Sequence, residues 1–118
     1  MTGSALTISL PRGPAAPRRA RALLREHADG LSPERLDTAI LLISELVTNA
    51  VLHGTGEIRL EIDFEGEEAR FSVSDEGQGR PRLRDEPGPD GGWGLRLVGQ
   101  LAARWGVLPD RTQVWFVI

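Results

Sequence analysis

A carboxylate and a carboxamide interrupt the longest apolar run of the chain. The run reads TAILLISELVTNAVLHG and contains Glu45 and Asn49 four residues apart, with His53 following at the same interval. On a helix, residues with this spacing lie one above the other on a single face. Most of the circumference is apolar, so the pattern predicts a buried helix. Because an ionised carboxylate is costly to bury alone, we expect a polar group or a ligand to face Glu45 and Asn49.

A second carboxylate falls on the side of a strand that the pattern predicts to be buried. In the stretch ARFSVSD, Phe71 and Val73 alternate as inward residues, and counting on by two places Asp75 on the same face. Gly77 and Gly79 follow, and glycines let a flat base approach the backbone closely. A carboxylate at this position can accept a hydrogen bond from the exocyclic amine that distinguishes adenine from guanine. These residues therefore indicate a nucleobase site.

A cluster of glycines precedes the last predicted helix. Gly91, Gly92 and Gly94 open the stretch GGWGLRLV, and a glycine-rich helix entry offers unpaired N–H groups to phosphate. Asn49 has the neutral oxygen that Mg²⁺ accepts beside water and phosphate ligands. Glu45 is suited to orient or deprotonate a nucleophile in phosphoryl transfer. Each feature alone also fits a cap, a turn or a hinge, but their convergence on one site favours nucleotide binding.

The composition excludes several other chemistries. The chain has 118 residues, with no cysteine, no lysine and two histidines. Cysteine-ligated zinc, a thiolate nucleophile and a lysine-dependent phosphate loop are therefore excluded. No stretch reaches the roughly 18 uninterrupted apolar residues of a membrane span, and the first residues lack a signal-peptide pattern. We therefore expect a cytoplasmic protein that does not bind membranes.

Charge is distributed unevenly along the chain. Residues 1–30 hold five arginines against two acidic residues, whereas the remainder holds nine arginines against fifteen acidic residues. A basic segment on an acidic body favours a protein partner over nucleic acid. Four of the five arginines fall in one predicted helix: Arg18, Arg19, Arg21 and Arg25.

Hydrophobic periodicity predicts the element order β-α-α-β-β-loop-α-β-β. The first helix is expected to end at Gly30, and the second to begin at SPER, where Ser32 caps it, and to end at His53. The third follows helical spacing through Trp105, and the stretches WGVL and TQVWFVI are the last strands. Adjacent strands of this kind predict one α+β domain over residues 1–118, with helices on one face of a mixed, mostly antiparallel sheet.

Three ordered motifs resemble those of a known superfamily. SELVTNAVLHG resembles the N box, VSDEGQG the Asp-x-Gly-x-Gly box and GGWGLRLV the Gly-x-Gly-Leu box of the GHKL superfamily, the Bergerat-type ATPases that include gyrase and the histidine kinases. The short length and the endings LAARWGV and TQVWFVI are most similar to the anti-sigma-factor serine kinases. The resemblance implies a two-layer α/β sandwich, a histidine kinase-like ATP-binding domain with three main helices on one face of the sheet.

The resemblance also implies roles for single residues. Glu45 matches the general base of the family, and Asn49 matches its magnesium ligand. Asp75 matches the acid that binds adenine, and Thr112 matches a threonine that supports the same pocket. The other expected nucleotide contacts are Gly77, Gly79, Gly92, Gly94 and Leu95.

The function implied by the resemblance is that of a regulatory serine/threonine kinase that uses ATP and Mg²⁺. Such a kinase phosphorylates an anti-anti-sigma protein and binds a sigma factor, and the family often forms homodimers. Two alternatives stay open: a nucleotide-dependent binding module that transfers no phosphate, and the catalytic fragment of a histidine kinase. The presence of Glu45 favours the kinase over the first alternative. The second would require upstream dimerisation helices with a phosphoacceptor histidine, which the sequence lacks.

Overall fold

The computed structural model describes residues 5–28, 30–77, 94–108 and 112–118. These ranges contain helices and strands in the order predicted from the sequence, which confirms the α+β fold class. They are β1 (Ala5–Leu10), α1 (Ala16–His27), α2 (Pro33–His53), β2 (Ile58–Glu65), β3 (Glu68–Ser74), α3 (Gly94–Leu101), β4 (Arg104–Leu108) and β5 (Gln113–Val117).

The five strands form one sheet in the order β1-β2-β3-β5-β4. Each pairing between neighbours is antiparallel, so within the described ranges the sheet is antiparallel throughout and not mixed. In β2, Ile58, Leu60 and Ile62 are buried, whereas Arg59 and Asp63 are exposed. One side of β2 is therefore solvated, and the helices pack on the other face of the sheet.

The central helix of the core is α2. The Oγ atom of Ser32 accepts a hydrogen bond from the backbone N–H of Arg35 at 3.3 Å, and Pro33 occupies the first turn, as predicted. The side of α2 that faces α1, α3 and the sheet consists of buried apolar residues: Ala39, Leu42, Ile43, Leu46, Val47 and Ala50.

The prediction that α2 is a buried helix holds for one side only. Leu41 is 42% exposed and Leu52 is 50% exposed, while Glu45 and Asn49 are half-buried. The described neighbours cover only part of the helix, so Glu45 keeps contact with solvent. The length and mean hydropathy of α2 would also suffice for a membrane span, but a core helix passes the same test, and the packing of α2 is that of a core helix.

The first helix, α1, packs an apolar stripe of Ala16, Ala20, Leu23 and Leu24 into the core. Of its four arginines, Arg18, Arg19 and Arg25 are exposed. Arg21 is half-buried, and its Nη1 donates to Oγ of Ser44 on α2 at 3.1 Å. The helix ends at His27, three residues before the predicted end at Gly30.

The third helix, α3, ends earlier than its periodicity predicts. It stops at Leu101 instead of Trp105. The N–H of Ala103 donates to the backbone oxygen of Val117 at 2.8 Å, and Trp105 pairs with Phe116 in the ladder between β4 and β5. Pairing with the sheet therefore overrides the helical periodicity of this segment.

Candidate functional site

The site begins at the residue that follows β3. The parity of β3 turns Asp75 to the helix-covered face, and only 7% of this residue is exposed. Its N–H donates to the backbone oxygen of Thr112 at 3.0 Å, which ties the end of β3 to the start of β5. Its Oδ1 accepts a hydrogen bond from the N–H of Gly77 at 2.6 Å. The inward direction predicted for Asp75 is therefore observed, and the carboxylate is held by its own loop.

Small residues surround the carboxylate of Asp75. A Cβ added to Gly54 would lie 2.6 Å from Cγ of Asp75 and would collide with Oδ2. A Cβ added to Gly77 would lie 2.8 Å from Oδ1 of Asp75 and 3.2 Å from Oγ1 of Thr112. The backbone at residues 54 and 77 therefore borders the carboxylate on two sides. The two glycines form a small-residue cradle in which the carboxylate lies directly against the backbone.

The connection from α2 to β2, residues 54–57, is fastened to the loop that follows Asp75. The N–H of Glu76 donates to the backbone oxygen of Thr55 at 2.8 Å. The N–H of Glu57 donates to Oε2 of Glu76 at 3.2 Å. Gly56 has a φ of 71°, and a Cβ there would collide with the carboxylate of Glu76. Hydrogen bonds and close backbone contact therefore join the two loops beside the carboxylate of Asp75.

The row on α2 extends away from Asp75. Glu45 and Asn49 are half-buried, and within the described ranges neither side chain makes a hydrogen bond. At 1.5 Å per residue, Asn49 lies roughly 7 Å along the axis before Gly54, and Glu45 lies roughly 6 Å further. The polar row therefore leads from the buried carboxylate along the partly exposed side of α2.

One ionisable group beside the site has a shifted pKa. A hydrogen bond from Oγ of Ser9 and then the guanidinium of Arg59 lower the pKa of Glu57 below its ordinary value of 4.5. The Ser9 Oγ lies 3.0 Å from Oε1 of Glu57, and the Arg59 Nη2 lies 3.2 Å from the same oxygen. This pair stabilises the ionised form on the wet face of the sheet.

The structure brings together part of the predicted site. Asp75, Gly77 and Thr112 lie in contact around one carboxylate. Glu45 and Asn49 lie on the helix that leads to it, and Gly94 and Leu95 form the first turn of α3, which packs on α2. Gly79 and Gly92 lie outside the described residues.

The sequence interpretation did not assign Gly54 and Gly56 to the site. Gly54 only closed the stretch SELVTNAVLHG, Gly56 had no role, and nothing in the periodicity relates either glycine to a residue some twenty positions later. The available signal was the glycine pair in HGTG, since two glycines so close together often mark a backbone that another segment approaches.

The residues present fit an adenine nucleotide. Asp75 supplies an almost wholly buried acceptor, and Gly54 and Gly77 place backbone instead of side chains against it. The described residues contain no cluster of three potential His, Cys, Asp or Glu ligands, so they do not form a cation site made of protein ligands alone. Mg²⁺ takes most of its ligands from water and phosphate, so a single amide oxygen such as that of Asn49 is sufficient on the protein side.

Comparison with known proteins decides the family. The model of the histidine kinase-like ATPase domain matches residues 10–118. The chain belongs to this family. Membership implies that the domain binds ATP, and it confirms the resemblance to the GHKL superfamily that the three motifs indicated. Among curated proteins, no relative matches the sequence.

A solved structure shares the fold of this ATPase domain. The crystal structure of the RsbU and RsbW domains of Rv1364c from Mycobacterium tuberculosis matches with a TM-score of 0.71 and 26% sequence identity. The match covers 98% of this chain and 31% of the other, so the present chain spans about a third of that protein's length. The likeness to the RsbW domain and the five-stranded antiparallel sheet with three helices confirm the Bergerat-type fold class.

Proposed function

We propose that this ATPase-family domain is a regulatory protein kinase of the anti-sigma type, which transfers phosphate from ATP to a serine or threonine of a protein partner. The observation that carries the proposal is the cradle around Asp75, which borders the same helix that bears Glu45 and Asn49. The similarity to an RsbW domain supports the regulatory class.

Each residue of the site has its own proposed role in nucleotide binding. Asp75 accepts a hydrogen bond from the adenine amine, and Gly54, Gly77 and Thr112 shape the pocket around it. Asn49 offers an oxygen to Mg²⁺.

At the other end of the polar row, Glu45 accepts the proton of the attacking hydroxyl. The first turn of α3, with Gly94 and Leu95, directs backbone N–H groups towards phosphate, and we assign Gly79 and Gly92 of the same motifs to nucleotide contact. Bound ATP supplies the terminal phosphoryl group, and ADP is the leaving group.

The partners we propose are an anti-anti-sigma protein as substrate and a sigma factor as the regulated protein, in the cytoplasm. The exposed arginines of α1 offer a basic surface on an otherwise acidic chain, which suits acidic protein surfaces. We also propose that the domain forms a homodimer.

The test is phosphate transfer in a defined mixture. The protein is incubated with γ-labelled ATP, Mg²⁺ and candidate anti-anti-sigma proteins, beside Asp75→Asn and Glu45→Ala variants. We expect label on the partner from the wild-type protein only, with ATP binding retained in Glu45→Ala. Tight ATP binding by the wild-type protein without label on any partner would favour a nucleotide-dependent binding module. Absence of ATP binding would overturn the proposal.

A further inference from the structure

An arginine from outside the three motifs reaches the connection that borders Asp75. Arg12 lies between β1 and α1 and is exposed. Its Nη2 donates to the backbone oxygens of Ala50 at 2.6 Å and Val51 at 3.2 Å, and also to that of Gly54. Its Nη1 donates to the backbone oxygen of Gly56 at 3.4 Å. One guanidinium therefore binds the last turn of α2 and the loop behind it.

These contacts place a positive charge at the C-terminal end of α2. The last four carbonyls of a helix have no intrahelical partner, and the helix dipole places partial negative charge on them. The C-terminal cap of α2 is Gly54 in an extended conformation, whose N–H returns to the backbone oxygen of Ala50 at 3.0 Å. The guanidinium of Arg12, a planar cation with several N–H donors, therefore binds carbonyls at this end of the helix.

The loop held by Arg12 is the loop that forms one wall of the cradle. Gly54 borders the carboxylate of Asp75, and Gly56 borders the carboxylate of Glu76. Arg12 donates to the backbone oxygens of both glycines. Residues 54–57 are therefore held both by Arg12 and by Glu76, which follows β3.

We propose that Arg12 is a positioning residue of the nucleotide site, which holds residues 54–57 against Asp75 and so keeps the carboxylate in the place where it would meet the adenine amine. It touches neither the nucleotide nor the reacting atoms and acts through the backbone of Gly54 and Gly56. The inference rests on the proposed nucleotide site, and it adds a residue that lies outside all three motifs.

A second arginine provides a matched control. Arg35, near the other end of α2, also joins two separate backbone segments, because its Nη2 donates to the backbone oxygens of Glu67 at 2.7 Å and Ile118 at 2.8 Å. These contacts involve the turn between β2 and β3, remote from Asp75. A purely stabilising role for Arg12 predicts the same behaviour for both arginines, whereas a positioning role predicts different behaviour.

The first measurement is the affinity for Mg·ADP by calorimetry, well below the unfolding temperature of each variant. We expect Arg12→Gln to weaken binding by about tenfold, Arg12→Lys to be intermediate, and Arg35→Gln to stay within about twofold of the wild-type protein. The intermediate value is expected because lysine keeps the charge but lacks the planar fork. Unchanged affinity in Arg12→Gln, or an equal loss in Arg35→Gln, would overturn the inference.

The second measurement needs no nucleotide. Amide hydrogen exchange reports the local opening of residues 54–57 and of the residues after Asp75. We expect the N–H groups of Gly54, Glu57, Glu76 and Gly77 to exchange at least about tenfold faster in Arg12→Gln and at the wild-type rate in Arg35→Gln. Wild-type rates in Arg12→Gln would also overturn the inference. If the wild-type protein bound no nucleotide, the proposed function would fail, while the exchange rates would still decide whether Arg12 positions the loop.

Discussion

The backbone of Gly54 lies directly against the carboxylate of Asp75. Asp75 is almost wholly buried and holds the N–H of Gly77, so it has little freedom to withdraw from an added atom. A Cβ at residue 54 would also lie 2.8 Å from the backbone oxygen of Ala50. This contact joins the end of α2 to the end of β3, so the helix that bears Glu45 and Asn49 ends at the buried carboxylate.

The first prediction concerns Gly54. We expect Gly54→Ala to destabilise the fold by about 1–3 kcal/mol, the usual effect of an added methyl group in a packed site. We also expect weaker ATP binding, because the methyl group displaces Asp75. Thermal unfolding and calorimetry measure the two effects. Gly30→Ala is the control, since a Cβ at Gly30 meets nothing within 4 Å. Equal stability and equal ATP affinity of the two variants would contradict the prediction.

The second prediction concerns the charge of Asp75. We expect Asp75→Asn to weaken ATP binding at least tenfold, about 1.4 kcal/mol, because a charge-assisted acceptor is lost. The control is Asp63→Asn, which makes the same substitution at an exposed position of β2 on the opposite face of the sheet. Calorimetry that gives wild-type affinity for Asp75→Asn would show that adenine is not recognised by this carboxylate.

The third prediction separates binding from chemistry at Glu45. We expect Glu45→Ala to bind ATP with near wild-type affinity while phosphate transfer falls by roughly 10²-fold. Glu34→Ala, in the first turn of the same helix, is expected to transfer phosphate at the wild-type rate. A parallel loss of affinity and transfer in Glu45→Ala would assign this residue to nucleotide binding instead of proton transfer.

The fourth prediction concerns the exposed arginines of α1. Reversing Arg18 and Arg25 to glutamate should slow association with the protein partner at low salt and leave ATP affinity unchanged, because charges at an interface rim mainly steer association. Arg21 is excluded from the pair because it binds Ser44 on α2.

The control for this prediction reverses Arg70 and Arg104, which carry the same charge on the open face of the sheet. Surface binding kinetics at two ionic strengths measure the association rates. Equal slowing by both double variants would mean that net charge, and not the surface of α1, governs association.

The fifth prediction follows from the lowered pKa of Glu57. Because the folded-state pKa lies below the unfolded value of 4.5, the stabilisation by this carboxylate is present above pH 4.5 and is lost as the pH falls through the folded-state pKa. Denaturation midpoints should therefore show the wild-type protein slightly above Glu57→Gln at neutral pH, with the gap closing in acid. A gap that widened in acid would mean that folding raises the pKa of Glu57 instead of lowering it.

Local periodicity was sufficient to predict much of this protein. The strict alternation of β2 and β3 placed Asp75 on the inner face, because side chains of a strand alternate between the two faces of the sheet. The interval of four residues placed Glu45 and Asn49 on one side of a helix for the equivalent reason. The element order and the fold class follow from the same strand and helix periodicities. The three motifs indicated the family.

The tertiary structure decided the features that depend on contacts between distant segments. Gly54 meets Asp75, and Arg12 meets the end of α2, through packing that has no period in the sequence. The end of α3 was set by pairing of the following residues with β5, which outweighs the helical spacing of a short segment. The exposed strip of α2 exists because its described neighbours cover only one side. Spacing along the chain determines which way a side chain points, whereas only the assembled layers determine what that side chain meets.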